Sequence, residues 1–451
     1  MVKASSSEWS SALSGGADTI VARATAAGGA AIAVLRMTGP QTRQIAATVS
    51  RDIDFDRPWV AQLVDVSDAD AGSERVVAIP FRAPRSYTGE DMLELMVHGS
   101  PYWVDELVGR LVAGGARSAG PGEFTRRAVA NGKMDLVQAE AVRDLVASET
   151  AWQARNARQQ LAGVLSARLC RLRDELLALS ARLEAGLDFA AQGIEVDREA
   201  VTGRLDRCRA ALSELLATAT AGARIRDGVK VVISGPPNSG KSTLFNILLG
   251  LERAIVDPKP GTTRDVLEAE LDVGGLLVTL VDTAGQRPTE DPVEAEGVRR
   301  ARAAEAEAGV IIRLWPADAE GPEPEGKPPG AGVSVVLVRS KADLLAGAAS
   351  DGGRWLPVSS VTGLGVDRLR LRLRAAVLGE VADLGGEVAI GRRHRQSLEA
   401  AAAELARCDL DTPELAAENV RMAAVSVSEM VGAVTTEELL DEIFSSFCIG
   451  K

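Results

Sequence analysis

The run Gly235-Pro236-Pro237-Asn238-Ser239-Gly240-Lys241-Ser242 constrains the fold more than any other stretch of the chain. It follows an apolar, β-branched segment, Val229 to Ile233, and precedes a helix-forming one, Ser242 to Leu249. Strand, glycine-rich loop and helix in that order make a cradle for phosphate groups. The loop closes its backbone N–H groups around phosphate oxygens. The helix start adds the positive end of its dipole. Lys241 is expected to reach the β- and γ-phosphates, and the Ser242 hydroxyl to hold Mg²⁺. Asn238, Ser239, Gly240 and Thr243 complete the loop and the first helical turn.

Three further motifs follow in the order a Ras-like P-loop domain requires. Asp282-Thr283-Ala284-Gly285 ends the strand Leu276 to Val281. Its aspartate suits Mg²⁺ held through water, and the Gly285 N–H suits the γ-phosphate. Between the two motifs, Gly261-Thr262-Thr263-Arg264-Asp265 offers Thr263 to the metal. Ser340-Lys341-Ala342-Asp343 follows the strand Val333 to Val338. Asp343 can accept from both N1–H and the 2-amino group of guanine, a pattern adenine lacks. That selects GTP over ATP. Ser359-Ser360, after Trp355 to Val358, would complete the base pocket with backbone N–H groups. Ser340 stands where such domains usually carry asparagine. A hydroxyl makes fewer hydrogen bonds than an amide, so weaker nucleotide binding is expected.

A length of 451 residues suggests two to four domains. Residues 1–130 mix short apolar runs, such as Ala30 to Leu35 and Val76 to Pro80, with Gly and Pro and read as α+β. Residues 131–226 are helical in pattern. There Leu165, Leu169, Leu172, Leu176, Leu179 and Leu183 form one apolar stripe on a long helix. Residues 227–380 alternate strands with helices, which indicates a parallel α/β sheet. Gly385-Gly386 reads as a linker, and residues 381–451 as helical again. In that segment Thr435 and Glu438 suggest a capping box before Leu439 to Phe444. The fold class is therefore multidomain α/β plus α. A G domain is inserted into a helical domain built from two segments, and an α+β domain precedes both.

Composition narrows the function classes. Four scattered cysteines and two histidines contain no CxxC pair, so neither a zinc site nor a disulfide framework is indicated. No apolar run reaches membrane-span length. The polar, Ser-rich start up to Asp18 has no leader pattern, and a reducing cytosol fits. A net charge of −12 argues against indiscriminate coating of nucleic acid. Arg392-Arg393-His394-Arg395 is a candidate basic patch, or equally a solvated helix start.

The surroundings of the nucleotide motifs carry a resemblance. The chain ends Phe444-Ser445-Ser446-Phe447-Cys448-Ile449-Gly450-Lys451. Earlier it carries Asp18-Thr19-Ile20-Val21-Ala22, Leu35-Arg36, Tyr87-Thr88-Gly89-Glu90-Asp91 and Pro121-Gly122-Glu123-Phe124-Thr125. With Gly261 to Asp265, these are similar to the MnmE (TrmE) family of bacterial tRNA-modification GTPases, from about residue 18 to 451. The resemblance implies a folate-binding and dimerising N-terminal domain, a homodimer, and an FAD-dependent partner, MnmG. The pair would add an aminomethyl or carboxymethylaminomethyl group to C5 of the wobble uridine of tRNA. The one-carbon unit would come from a tetrahydrofolate derivative, with 5-formyl-tetrahydrofolate as the ligand.

By motif, the folate residues fall on Arg36, Glu94, Lys133 and Lys451. The resemblance also raises Cys448 as a functional thiol, although on residue type alone a buried, inert cysteine is the commoner case. The resemblance also implies K⁺ beside the phosphates, held by Asn238 and by the loop containing Asp257, Lys259 and Thr262. The attacking water has two candidate partners. Gln286 occupies the Ras-type position. Glu294 falls in Val293-Glu294-Ala295-Glu296-Gly297-Val298, where the family carries its glutamate, with Glu296 nearby. Glu294 is favoured. A ribosome-assembly GTPase and a nucleotide-switched scaffold without turnover are the alternative functions.

Overall fold

The computed structural model describes residues 18–68, 72–189, 197–255, 267–282, 303–319, 330, 332–345, 354–379, 390–433 and 436–451. The chain forms two compact units. The first gathers the described residues up to Arg143 with Gln160–Ala181 and Val420–Lys451. The second gathers Asp144–Gln159 with Arg182–Asn419.

In the first unit the strands are β1 (Ile20–Arg23), β2 (Ala30–Thr38), β3 (Gln62–Asp68), β4 (Gly72–Phe81), β5 (Met92–Gly99) and β6 (Arg117–Ser118). Helix α1 (Thr42–Ala46) follows β2, α2 (Pro101–Ala113) follows β5, and α3 (Glu123–Ala130) follows β6. The sheet order is β3-β4-β5-β2-β1-β6. Only β1 and β6 run parallel. Side chains alternate between the two faces of a strand. Ala33, Leu35 and Met37 on β2 and Leu93, Leu95 and Val97 on β5 therefore share one core with Val104, Leu107 and Leu111 of α2. The opposite face carries Leu63, Val77, Met96 and Val34 in one cross-strand row. The next row is Ile79, Glu94 and Arg36.

The helices that follow are α4 (Leu136–Val146), α5 (Ala151–Leu161), α6 (Val164–Phe189), α7 (Arg198–Ala217) and α8 (Ala219–Asp227). All six leucines of the predicted stripe lie on α6 and are at most 4% exposed. At about 1.5–3 kcal/mol per buried leucine, that stripe outweighs any helix-propensity effect.

The nucleotide-domain sheet comprises β7 (Val229–Ser234), β8 (Arg253–Ile255), β9 (Leu267–Val273), β10 (Leu276–Asp282), β11 (Val310–Pro316), β12 (Ser334–Ser340) and β13 (Leu356–Pro357). Helix α9 (Lys241–Leu251) follows β7 and α10 (Val366–Leu378) follows β13. The order is β13-β12-β11-β7-β10-β9-β8. The sheet is not wholly parallel as expected, because β9 and β8 are antiparallel. The cause is local. β9 and β10 are joined by Gly274-Gly275, both at positive φ (66° and 91°), the geometry of a two-residue hairpin turn.

The chain ends with α11 (Arg392–Ala406), α12 (Pro413–Met430) and α13 (Glu437–Ser445). Distant helical segments meet in each unit. In the first, Leu136 and Ala139 of α4 cluster with Leu440, Ile443 and Phe444 of α13. In the second, α11 packs on α7, and Arg209 of α7 donates to the carbonyl of Leu405 at 2.8 Å. The helix cap expected at Thr435 is instead Thr436, whose side chain accepts from Leu439 N at 3.2 Å. Its third following residue is Leu439, so no reciprocal box forms. The run from Arg392 is not one continuous basic patch. His394 is buried with Leu398, Ala401 and Leu405, while Arg395 pairs with Glu399 at 2.7 Å. Gly385-Gly386 and Thr435 lie outside the described residues, as does the polar start before Asp18. Among the described residues, no helix is long and apolar enough to cross a membrane.

Candidate functional site

The phosphate loop follows β7 and opens α9, as its flanking residues require. Gly235 has φ 155°, and a Cβ there would lie 2.8 Å from the carbonyl of Leu314. Only glycine lets the loop pass so close to β11. Lys241 is 8% exposed and donates to the carbonyls of Gly235 and Pro236 at 3.0 and 2.8 Å. Burial pulls its ammonium below the usual lysine range, while Asp282 pulls it back up. The lysine is thus parked on its own loop, ready to exchange two carbonyls for phosphate oxygens.

Asp282 ends β10 in register with Ile233 of β7, beside the phosphate loop. Its Oδ2 accepts from the Ser242 hydroxyl at 2.7 Å. One hydroxyl and one carboxylate at a helix start are hard oxygen donors and fit Mg²⁺. Thr243 is exposed on the next position of α9.

On the base side, Ser340 ends β12 and donates to the carbonyl of Ser239 at 2.7 Å, with both groups buried. The serine therefore ties the end of β12 to the phosphate loop. Asp343 is exposed and its Oδ1 accepts from the Ser359 hydroxyl at 2.5 Å. The Ser359 N–H donates internally, to Leu364 at 2.9 Å. The Ser359 hydroxyl thus positions the Asp343 carboxylate, and Ser360 follows it in the loop. Lys341 pairs with Asp318 at 2.8 Å. Asp257, Lys259, Thr262, Thr263, Thr283, Ala284, Gly285, Gln286, Glu294 and Glu296 lie outside the described residues.

A second cluster forms in the first unit. Arg36 and Glu94 are directly opposed on β2 and β5 and pair at 2.7 Å. The C-terminal segment reaches them. Ile449 bridges to Pro121, and the Gly450 carbonyl lies 3.4 Å from Arg36 Nη1. Lys451 follows, its ammonium held below the usual range by burial and by Arg36, against the pull of Glu94 and Cys448. The Arg36 guanidinium also sits 5.2 Å from the Tyr87 ring centroid. So Arg36, Glu94 and Lys451 come together from opposite ends of the chain. Lys133 is exposed and donates to the carbonyl of Pro84 at 3.0 Å, on the loop that leads to Tyr87. Cys448 is exposed, contrary to the buried cysteine that residue type suggests.

The same unit holds a buried hub that none of the sequence expectations included. Arg127 is 2% exposed and binds Asp18 at 2.7 Å, Glu123 at 3.2 Å and Glu90 at 3.4 Å. Burial raises the Asp18 and Glu123 carboxyls, but Arg117 and Arg127 outweigh it and hold both below their usual values. Three separate motifs noted in the sequence each supply one of these carboxylates.

The sheet, the phosphate loop and the Ser242–Asp282 pair that opens its helix define a P-loop GTPase. Two family profiles refine that class. "GTP-binding protein TrmE N-terminus" matches residues 19–133, and "MnmE helical domain" matches residues 136–448. The tRNA modification GTPase MnmE of Xanthomonas campestris is 41% identical over 96% of this chain and 99% of its own. The protein of the same name from Methylobacterium radiotolerans is 42% identical over the same shares. The one from Hyphomonas neptunium is 40% identical over 96% and 99%. The chain belongs to the MnmE family of tRNA modification GTPases.

Proposed function

We propose that this chain is a potassium-stimulated GTPase that modifies tRNA in the cytoplasm as a homodimer. With the FAD-dependent partner MnmG, it would add an aminomethyl or carboxymethylaminomethyl group at C5 of the wobble uridine. The observation that carries this reading is the joining of Arg36, Glu94 and Lys451 in a chain that also pairs Ser242 with Asp282. Two cationic side chains about one carboxylate suit a ligand with carboxylates of its own, as 5-formyl-tetrahydrofolate has. Lys133 would lie at its edge. The row Leu63, Val77, Met96 and Val34 beside this cluster supports a second copy on that face, since Leu63 is 66% exposed. The domain division follows: 1–130 for folate and dimerisation, 131–226 with 381–451 as the helical domain, and 227–380 as the G domain. The break between the two family matches, at residues 133 and 136, supports the first boundary.

In the G domain, Lys241 and the loop N–H groups bind phosphates, Asp343 reads guanine, and Ser242 and Thr263 hold Mg²⁺. The metal supplies neutralisation of charge on the phosphate oxygens. Asn238 has φ 57° at the turn of the loop, where its side chain would help hold K⁺ with the segment of Asp257, Lys259 and Thr262. Glu294 orients the attacking water and Gln286 does not. Single-turnover hydrolysis of saturating GTP checks this. It should run faster in potassium than in sodium, and Glu294→Ala should lose roughly two orders of magnitude or more, the scale of a positioned acid–base group. Gln286→Ala should lose much less. Equal rates in both salts remove the ion from the mechanism, and the reverse ranking of the variants makes Gln286 the water's partner.

A further inference from the structure

Trp59 adopts a backbone conformation that bulky residues avoid, with φ at 63°. Two hydrogen bonds hold it there. Its backbone N–H donates to Pro80 at 2.8 Å and its indole N–H to the carbonyl of Arg85 at 2.7 Å. A strained tryptophan in a core is repaid by burial, yet this one is 42% exposed. The Arg85 guanidinium lies 4.6 Å from the ring centroid, stacked on the indole.

Further cationic residues sit on the same stretches of backbone. The Arg85 N–H donates to the Arg82 carbonyl at 2.9 Å, the Arg57 carbonyl accepts from Gln62 at 3.3 Å, and Lys133 donates to Pro84. Arg57, Arg82, Arg85 and Lys133 are all exposed. Among the described residues, none of the four has a carboxylate within 4.0 Å. The acids nearby in sequence have other hydrogen-bond partners. Asp91 accepts from Ala83 N at 2.9 Å, Asp54 from Asp56 N at 2.9 Å, and Asp56 pairs with Arg43 at 3.2 Å. In a chain of net charge −12, four exposed cations without a carboxylate partner among the described residues, one of them over a displayed indole, suit an anionic partner.

We propose that Trp59 and the 82–85 loop form a docking surface for an unpaired stretch of tRNA. Phosphates take the arginines, and an unstacked base extends the stack that Arg85 begins on the indole. Aromatic faces interleaved with cations bind single-stranded nucleic acid in this way. A lipid surface would also attract cations. The free arginines and the guanidinium-stacked ring favour RNA, because both elements match a phosphate-and-base repeat.

The proposal rests on the tRNA-modification reading and is separable from it. Full-length protein is titrated with fluorescently labelled bulk tRNA across a salt series. Arg82→Ala/Arg85→Ala should weaken binding and reduce the salt slope by about 0.7 for each phosphate that an arginine no longer neutralises. Trp59→Asn keeps a residue that tolerates positive φ while removing the ring. It should weaken binding about tenfold or more, the scale of one stacked base. GTP hydrolysis and the melting temperature should stay at wild-type values in both. If Trp59→Asn melts early, the arginine double variant decides. Variants that bind tRNA as the wild type does overturn the surface and leave the tRNA reading standing. A wild type that binds no tRNA at low salt overturns both. Loss of binding to phosphatidylserine vesicles, with tRNA affinity unchanged, makes the corner a membrane surface and overturns the proposal.

Discussion

Arg127 sits where water barely reaches, and three carboxylates make its charge tolerable, Glu123 one helical turn away and Asp18 and Glu90 from distant parts of the chain. Removing the cation takes Glu90's pair away and leaves Asp18 and Glu123 to Arg117 alone. Arg127→Met should cost about 3–5 kcal/mol near neutral pH, the usual penalty for breaking a buried pair from one side. The pH dependence has a definite sign. Asp18 and Glu123 have folded-state values depressed below their ordinary 3.8 and 4.5. Their contribution is present above those values and is lost as pH falls through the lower, folded ones. The gap between wild type and Arg127→Met should therefore narrow in acid, as measured by urea unfolding at a series of pH values. A gap that is constant from pH 7 to 3 contradicts the hub. Ser340 makes a parallel case in the nucleotide site. Ser340→Ala leaves the buried Ser239 carbonyl without its hydroxyl partner. GTP affinity should drop by about 1–3 kcal/mol while the preference for guanine over adenine survives, since Asp343 is untouched. Calorimetry with GTP and ATP checks both halves.

At the scale of elements, some features were written in the sequence and others were not. The phosphate loop was legible because its chemistry fixes residue types at fixed spacing. The α6 stripe was legible because 3.6-residue periodicity carries Leu165 to Leu183 onto one face. Of the Arg127 hub only the i, i+4 pair with Glu123 had a local signal, since Asp18 and Glu90 are charged residues like any others until folding joins them. The C-terminal approach to Arg36 depended on family resemblance, because the two are 414 positions apart. The antiparallel hairpin β9–β10 had a visible signal in Gly274-Gly275, which the alternation of strands and helices masked. That turn also carries a contact no pattern announces. Trp152 of α5 donates its backbone N–H to Gly275 at 3.2 Å, and a Cβ on Gly275 would lie 2.6 Å from its ring. Gly275→Ala should destabilise the G-domain unit by about 1–3 kcal/mol through this overlap and the positive φ. Trp152→Ala in the same background should recover only the steric part. Full recovery would mean that backbone strain at the turn is negligible.

Over the whole molecule, two chemistries share one chain. One is a phosphate loop that parks Lys241 on its own carbonyls beside the Ser242–Asp282 pair. The other is a cluster that draws the C-terminal Lys451 to Arg36 and Glu94. A GTPase that served only as a timer would need the first alone. The most direct test is mass spectrometry of tRNA nucleosides from a strain lacking this chain, complemented by wild type, Lys241→Ala or Arg36→Ala. The C5-modified wobble uridine should be absent from the deletion strain, return with wild type, and fail to return with either variant. Normal modification in the deletion strain, or full rescue by Lys241→Ala or Arg36→Ala, would contradict the claim that GTP hydrolysis and the Arg36 cluster serve one reaction.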